Sequence, residues 1–213
     1  MLITFEGLDA SGKTTQVNKL KNYIEEIGLS VIVYREPGST DVSEGIRDVL
    51  LNTSYIGMDE YAEMFLFQAA RSHFVRNQLI PSLSSLDVVI LDRFYDSTLA
   101  YQGYGHMLDC GLGELKDICL IAACGVVPNI TFLLDITVEE SFKRMRISGK
   151  RKNRMEMYNT AFYERVRIGY KLMASGVMGD PTDRWFSMNG EDEEDKIAAG
   201  ISLRFMKKYG ELH

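Results

Sequence analysis

The feature that most constrains this chain is a phosphate-binding loop that begins at Gly7. Residues 7–14 read G-L-D-A-S-G-K-T, which matches the pattern G-x-x-x-x-G-K-[ST] without a gap. A short apolar run precedes the loop and an amphipathic helical pattern follows it, which is the context this pattern requires. Backbone N–H groups and a helix N-terminus surround phosphate oxygens in such loops. The sequence therefore predicts a nucleoside triphosphate site, and leaves a kinase, a GTPase and an ATPase motor all open.

Individual residues of this loop can be given expected roles. The side chain of Lys13 should reach the β- and γ-phosphates, and the Thr14 hydroxyl should ligate Mg²⁺. A second Mg²⁺ ligand is predicted at Asp92, the acid that ends the apolar run 88–92. Arg93 follows directly, at the sheet edge where ligands bind in open α/β folds, and is a candidate catalytic residue. The residues expected to contact ATP in the loop are Gly7, Leu8, Asp9, Ala10, Ser11, Gly12, Lys13, Thr14 and Thr15.

Short apolar runs alternate with longer helical patterns along the whole chain, which predicts an α/β fold with a parallel sheet between helices. The predicted strands are residues 2–6, 30–35, 87–92, 130–135 and 184–188. The predicted helices are residues 13–27, 61–86 (kinked or restarted at Pro81), 157–174 and 195–208.

The net charge of −6 is the wrong sign for a protein that coats nucleic acid, so we expect no nucleic-acid partner. The three cysteines have no CxxC spacing and indicate neither a disulfide framework nor a zinc site. No basic, apolar leader precedes the first strand, and no apolar run reaches the roughly 20 residues that span a bilayer. We therefore expect a cytoplasmic protein without a membrane partner.

A strongly basic segment, residues 143–154, carries seven cations and no acid. It is either a solvated basic face, a nucleic-acid patch, or a lid that closes over ATP. We favour the lid, because planar arginine side chains suit the charge that develops on a transferring phosphoryl group.

Five ordered blocks of the sequence resemble thymidylate kinases, a family of P-loop nucleoside monophosphate kinases. The blocks are residues 5–16, 35–40, 66–71, 92–103 and 162–170. The resemblance implies a single domain over residues 1–213 with a five-stranded parallel sheet, a lid at about residues 144–156, and a homodimer. It also implies ATP- and Mg²⁺-dependent phosphorylation of thymidine monophosphate (dTMP) to dTDP, which supplies dTTP synthesis.

The same resemblance implies how the acceptor is bound. Phe67 would stack on thymine, Arg71 would bond its carbonyl, and Asp9 would contact the deoxyribose hydroxyl. Tyr101 would crowd the 2′ position, which excludes ribonucleotides. The predicted dTMP-binding residues are Asp9, Glu36, Pro37, Arg47, Phe67, Arg71, Arg93, Ser97, Thr98, Tyr101 and Gln102.

The lid assignment leaves one choice open. Arg154 aligns best with the family's catalytic lid arginine, Arg151 is the alternative, and Arg144 would lie over the adenine. The chain departs from the family pattern at Ser39, where a glycine is usual, and at Asn153, where an acid is usual.

Two rival functions remain. A kinase for dUMP, dCMP or AMP would share the fold, although the base-end residues argue against AMP. A nucleotide-dependent switch protein would use the phosphate loop to change shape, and would bind a partner through its basic segment.

Overall fold

The computed structural model describes residues 1–176 and 182–212. Its sheet has five strands, and each pair of neighbours is parallel, in the order β2-β3-β1-β4-β5. This confirms the predicted parallel sheet, although three of its strands start one residue later than expected. The strands are β1 (Leu2–Glu6), β2 (Val31–Arg35), β3 (Val88–Asp92), β4 (Ile130–Asp135) and β5 (Trp185–Asn189).

The four predicted helical regions are present, and further helices occur between them. Four of those, α2, α5, α6 and α7, were not predicted; α7 overlaps the basic segment that we interpreted as a lid. The helices are α1 (Lys13–Glu26), α2 (Asp41–Leu51), α3 (Glu60–Phe74), α4 (Ile80–Ser85), α5 (Tyr95–Thr98), α6 (Gly111–Ala122), α7 (Val138–Ile147), α8 (Thr160–Ala174) and α9 (Glu194–Leu212).

The predicted long helix over 61–86 is interrupted, but before Pro81 rather than at it. A π-helical segment, Val75–Leu79, joins α3 to α4, and Pro81 lies in the first turn of α4. A proline is tolerated there because the first turn of a helix leaves N–H groups unpaired. A second π-helical segment, Leu99–Gly105, continues α5. Such segments are frequent at functional sites, and this one carries two predicted dTMP-binding residues, Tyr101 and Gln102.

The sheet is buried on both faces, which explains the nearly continuous apolar strands. Val88 and Ile90 of β3 pack in one core cluster, with α1 and α9 residues, whereas Val89 and Leu91 pack in the other. Alternation therefore sends successive side chains of β3 into two different cores. Asp92, the last residue of β3, belongs to neither core cluster and is only half-buried. Polar groups can therefore meet a ligand at the carboxyl edge of the sheet. In the described ranges, no helix is long and apolar enough to cross a membrane.

Candidate nucleotide-binding site

The phosphate loop connects β1 to α1 and requires glycine at its first position. Gly7 has a φ of 136°, and a Cβ there would lie 2.5 Å from the carbonyl oxygen of Leu134. The ammonium group of Lys13 donates to the carbonyl oxygens of Leu8 (2.8 Å) and Gly7 (3.2 Å), so it is held over the loop. Burial, with the neighbouring charge of Arg93, lowers the pKa of Lys13 to about 8. An anion bound beside Lys13 would therefore stabilise its charged form.

The two predicted Mg²⁺ ligands lie next to each other, although 78 residues separate them. The Thr14 hydroxyl donates to Oδ2 of Asp92 over 3.0 Å. Parallel pairing of β1 with β3 brings this about, since Phe5 is in register with Asp92. A hydroxyl and a carboxylate are oxygen ligands of the kind that Mg²⁺ prefers, and such sites need few protein ligands because phosphate and water complete them. The residues present therefore fit Mg²⁺.

Arg93 lies between the phosphate loop and the rest of the predicted acceptor site. Its Nη2 donates to Oδ1 of Asp9 (2.8 Å), and its Nη1 donates to the Gly7 carbonyl oxygen (3.0 Å). The guanidinium also lies 5.1 Å from the centre of the Tyr101 ring. The backbone of Arg93 has a φ of 74°, which is unusual for a residue with a Cβ. So many fixed contacts hold the guanidinium in one place at the carboxyl edge of the sheet.

Asp9 accepts three hydrogen bonds inside the cavity. Besides Arg93, the hydroxyl of Tyr163 donates to it over 2.9 Å and that of Tyr101 over 3.2 Å. Burial by itself would raise the pKa of Asp9, but the charges of Arg93 and Lys13 outweigh this and lower it. Asp9 is therefore an anion whose position is fixed from three sides.

One cavity of about 250 Å³ joins the phosphate loop to the predicted acceptor residues. At the loop end it is lined by Lys13, Thr14 and Asp92, and at the other end by Phe67 and Arg71. The predicted dTMP-binding residues that line it are Asp9, Glu36, Pro37, Arg47, Phe67, Arg71, Arg93, Ser97, Thr98, Tyr101 and Gln102. The structure thus brings the whole predicted acceptor set together around one space.

At the far end of the cavity, Arg71 is rigidly held. Its Nε donates to Oε2 of Glu36 (2.7 Å), Nη1 to Gln68 and Thr98, and Nη2 to the Phe94 carbonyl oxygen. Four of its five N–H groups are therefore used. The other carboxylate oxygen of Glu36, Oε1, is buried and makes no hydrogen bond in the described chain. One N–H of Arg71 and one carboxylate oxygen of Glu36 therefore have no hydrogen-bond partner among the described residues.

The helix that carries Arg71 also orients the predicted stacking residue. Of three consecutive apolar residues, Phe65 is 56% exposed, whereas Phe67 is half-buried and lines the cavity. This follows from helix geometry, since three neighbours cannot lie on one apolar stripe. Arg47, on α2, donates to the Pro37 carbonyl oxygen over 2.8 Å and reaches the same cavity.

Ser39 fits the position at which the family usually has glycine. Its φ is 70°, and its hydroxyl accepts from the Arg35 N–H (3.1 Å) and donates to the Arg35 carbonyl oxygen (3.0 Å). Its own N–H donates to Glu44 over 2.8 Å. These bonds hold the loop beside the acceptor site in the turn that a glycine would adopt.

Arg154, the preferred catalytic lid arginine, is buried in an ion pair, so its catalytic role stays a prediction. It is 2% exposed and forms an ion pair with Glu63 at 2.6 Å, and its Nε donates to the Leu50 carbonyl oxygen over 2.7 Å. Nothing in the sequence indicates that this arginine pairs with a buried carboxylate. Arg151, the alternative, is exposed and has no hydrogen bond or ion pair to any described residue. Arg144 pairs with Glu140 and donates to the Gly190 carbonyl oxygen.

Residues on both sides of Arg154 also line the acceptor cavity. Asn153, Met155 and Glu156 are among its walls. The N–H of Asn153 donates to the Glu156 carboxylate (3.0 Å), and the Glu156 N–H donates back to the Asn153 side chain (3.2 Å). An asparagine can form this reciprocal turn at the position where the family usually has an acid.

Sequence reasoning missed Glu6, which organises the floor of the site. Its buried carboxylate accepts from the Phe94 N–H (2.8 Å), the Ser97 hydroxyl (2.6 Å) and the Tyr170 hydroxyl (2.8 Å). Burial, together with the charge of Asp96, raises the pKa of Glu6. The available signal was an acid at the end of an apolar strand, directly before the loop.

Two tyrosines of α8 and a glutamate of α3 were also missed. Tyr163 and Tyr170 lie seven residues apart, on one face of the helix, and both reach the site through their hydroxyls. Glu63 lies four residues before Phe67 on α3, and it is completely buried. The helical spacing of the tyrosines was visible in the sequence; their partners were not.

Comparisons with known proteins agree with these observations. The sequence model of the family described as thymidylate kinase matches residues 5–181. A thymidylate kinase of Prosthecochloris aestuarii is 40% identical over 220 residues, which covers 100% of this chain and 96% of that protein. One of Chlorobium luteolum is 42% identical and covers 99% of both. The crystal structure of thymidylate kinase from Ehrlichia chaffeensis has a TM-score of 0.73 and 32% identity, and covers 97% of this chain and 98% of that one.

Proposed function

This chain belongs to the thymidylate kinase family, and on that premise we propose that its cavity holds dTMP beside the γ-phosphate of ATP. The family assignment makes the chain an ATP-dependent kinase that converts dTMP to dTDP. The observation that carries the proposed placement is the shared cavity, lined by Lys13 and Thr14 at one end and by Phe67 and Arg71 at the other. A single space of this kind would allow a donor phosphate and an acceptor phosphate to meet.

We assign the base to the Phe67 and Arg71 end of the cavity. An aromatic face combined with a fixed hydrogen-bond donor is an effective way to recognise one base. Arg71 is held by Glu36 and Thr98, so its remaining proton has a defined direction. Tyr101, whose hydroxyl bonds Asp9, would lie along the sugar and exclude a 2′ hydroxyl.

The acceptor phosphate would lie between Arg47 and Arg93. Arg93 is anchored to Asp9 and to the Gly7 carbonyl oxygen, which puts its charge close to the phosphate loop. An acceptor oxygen can then attack the γ-phosphorus in line, while Lys13 and Arg93 stabilise the charge on the equatorial oxygens. The acceptor phosphate is already mostly anionic at neutral pH, so the reaction needs no strong general base.

We propose that Thr14 and Asp92 hold Mg²⁺, on the strength of their 3.0 Å contact. The ion would neutralise phosphate charge and orient the triphosphate. Lys13 and the loop N–H groups would position the remaining phosphate oxygens. The triphosphate would thus be neutralised by Mg²⁺ and by Lys13 together.

We further propose a single domain over residues 1–213, a lid at residues 144–156, a homodimer and a cytoplasmic location. The lid's exposed Arg151 is free to approach the transferring phosphoryl group, in contrast to Arg154. Closure would also keep water from the γ-phosphate and so limit ATP hydrolysis. Sedimentation equilibrium of the purified protein tests the dimer directly.

Coupled ADP release with ATP and Mg²⁺ tests the proposed function. We expect strong stimulation by dTMP, and little by dUMP, dCMP, dGMP or AMP. Stimulation by another monophosphate would keep the kinase but reject the base assignment. ADP release that responds to no monophosphate would reject the acceptor site and favour a nucleotide switch. Lys13→Ala is the control for background ATP hydrolysis.

A further inference from the structure

Glu63 gathers four hydrogen-bond donors, yet it does not line the substrate cavity. Its side chain is 0% exposed. It accepts from Gln102 Nε2 (2.6 Å), His106 Nε2 (3.0 Å), Arg154 Nη2 (2.6 Å) and the Tyr158 hydroxyl (3.0 Å). Gln102 lies in the π-helical segment after α5 and His106 directly follows it, whereas Arg154 and Tyr158 lie between α7 and α8. Of the four, only Gln102 lines the cavity.

The charge state of Glu63 decides what it can do to its partners. Burial would raise its pKa, but the hydrogen bond and charge of His106, with the charge of Arg154, lower that pKa to about 2. An ionised carboxylate only accepts hydrogen bonds. Any amide that bonds to Glu63 must therefore present its NH₂ group to it.

This requirement fixes both ends of the Gln102 amide. Because its Nε2 faces Glu63, its Oε1 must point away from the carboxylate. That oxygen makes no hydrogen bond to any described residue, and Gln102 is a wall of the cavity. A carbonyl oxygen without a protein partner can accept a hydrogen bond from a ligand that enters the cavity. The cavity thus offers an acceptor at Gln102 and, from Arg71, a donor.

A thymine ring has the complementary pattern, with a carbonyl that accepts and a ring N–H that donates. A 5-methylcytosine ring has nearly the same shape but reversed polarity, since it carries an amino group and an unprotonated ring nitrogen at these positions. Mispaired polar groups in a buried site discriminate strongly, whereas shape alone would not separate the two bases.

We propose that Glu63 is a positioning residue which fixes the Gln102 amide and thereby makes the cavity select a thymine base over an amino-pyrimidine of the same shape. The inference rests on the proposed placement of dTMP. Arg154 and His106 hold the Glu63 carboxylate in place, and the Gln102 amide that it orients would meet the base.

The test compares dTMP with 5-methyl-dCMP, which differ only in the polarity of the base edge. The measured quantity is the ratio of the 5-methyl-dCMP inhibition constant to the KM for dTMP. We expect a ratio on the order of 10² or more in the wild type. Glu63→Gln should lower it by about tenfold or more, because a neutral amide at 63 can bond either end of Gln102. The turnover number with dTMP should change much less than the ratio.

Tyr158→Phe is the matched control, because it removes one donor from Glu63 and leaves the bond to Gln102. Its ratio should stay close to that of the wild type. If Glu63→Gln weakens both nucleotides equally and keeps the ratio, Glu63 is only structural and the inference is wrong. If that variant does not fold, Gln102→Met replaces it: a lowered ratio supports the inference, and an unchanged one overturns it.

A wild-type enzyme that does not distinguish the two nucleotides would reject the proposed base site, and the inference would fall with it. A wild type that discriminates, with a Glu63→Gln variant that does so equally well, would reject the inference alone. The two failures are therefore distinguishable in one series of measurements.

Discussion

Nη2 of Arg93 donates a hydrogen bond to Oδ1 of Asp9 over 2.8 Å, although 84 residues separate the two in the sequence. The contact joins the phosphate loop, which would hold ATP, to the end of β3, which would hold the acceptor phosphate. Tyr163 and Tyr101 hold Asp9 from other directions. The protein itself thus connects the donor and acceptor sites, which preorganises the charge needed for transfer.

Replacement of Arg93 by lysine should abolish most of the activity. A lysine cannot reproduce the fork that reaches Asp9, Gly7 and Ser97 together. We expect kcat to fall by about 10²–10³-fold with circular dichroism unchanged. The exposed Arg76 provides a control, and Arg76→Lys should retain wild-type rates. Near-normal rates in Arg93→Lys would remove Arg93 from the mechanism.

Phe67→Ala should raise the KM for dTMP and leave the KM for ATP unchanged. Base stacking on an aromatic residue is worth about 1–3 kcal/mol, which corresponds to an effect of about 5- to 150-fold. Phe65→Ala is the matched variant, since Phe65 lies two residues away and is 56% exposed. Steady-state kinetics with each substrate varied in turn will show the difference. A change confined to ATP would place Phe67 elsewhere.

Asp92→Asn should raise the Mg²⁺ concentration required for half-maximal activity. The substitution keeps the shape of the side chain, but it removes the charge beside the Thr14 hydroxyl. Titration of activity with Mg²⁺ at fixed ATP, with EDTA as the zero point, measures the effect. An unchanged Mg²⁺ requirement would argue against Asp92 as a ligand.

Arg154→Met and Arg151→Ala should have opposite consequences. Arg154→Met leaves Glu63 buried without its cation, and the loss of one partner of a buried pair costs about 3–5 kcal/mol of stability. Arg151→Ala removes an exposed cation, so thermal stability should not change while kcat falls. Thermal melts and turnover numbers, measured on both variants, separate the two roles. A stable Arg154→Met variant with a large loss of kcat would instead support Arg154 as the catalytic lid residue.

Glu6 should make stability depend on pH in a direction opposite to that of a carboxylate paired with a cation. Burial raises its pKa above the usual 4.5, so the folded protein binds this proton more tightly than the unfolded chain does. Stability from Glu6 must therefore fall as pH rises through 4.5 and level off above the raised pKa. In Glu6→Gln, the free energy of unfolding should lose this contribution between pH 4.5 and neutrality. Denaturant unfolding at several pH values, compared between the two proteins, measures it.

Much of the nucleotide site could be predicted from the sequence, because its residues belong to short continuous patterns. The phosphate loop specifies its own geometry over eight residues, and Gly7 is demanded by the backbone itself. Asp92 could be assigned because an acid at the end of a buried strand must lie at the sheet edge. The family resemblance supplied the acceptor residues, and the structure gathers all of them around one cavity.

The sequence was less informative about helices and side chains whose place in the fold depends on burial. The helices α2, α5, α6 and α7 were not predicted from the sequence. The basic segment was interpreted from its charges alone, which cannot show that one of its arginines is buried. Arg154 finds its partner far earlier in the chain, in Glu63, and this pairing exists only when α3 packs against the end of the lid.

By itself, then, the sequence determined the parallel α/β sheet, the phosphate loop and the types of side chain that meet at its edge. These depend on local patterns and on the burial of apolar strands. The tertiary structure alone decided which polar groups pair inside the protein, as in Glu6 with Tyr170 and Glu63 with Gln102. A buried hydrogen bond between distant segments leaves no periodic trace in the sequence, since its energy depends on packing that removes both groups from water.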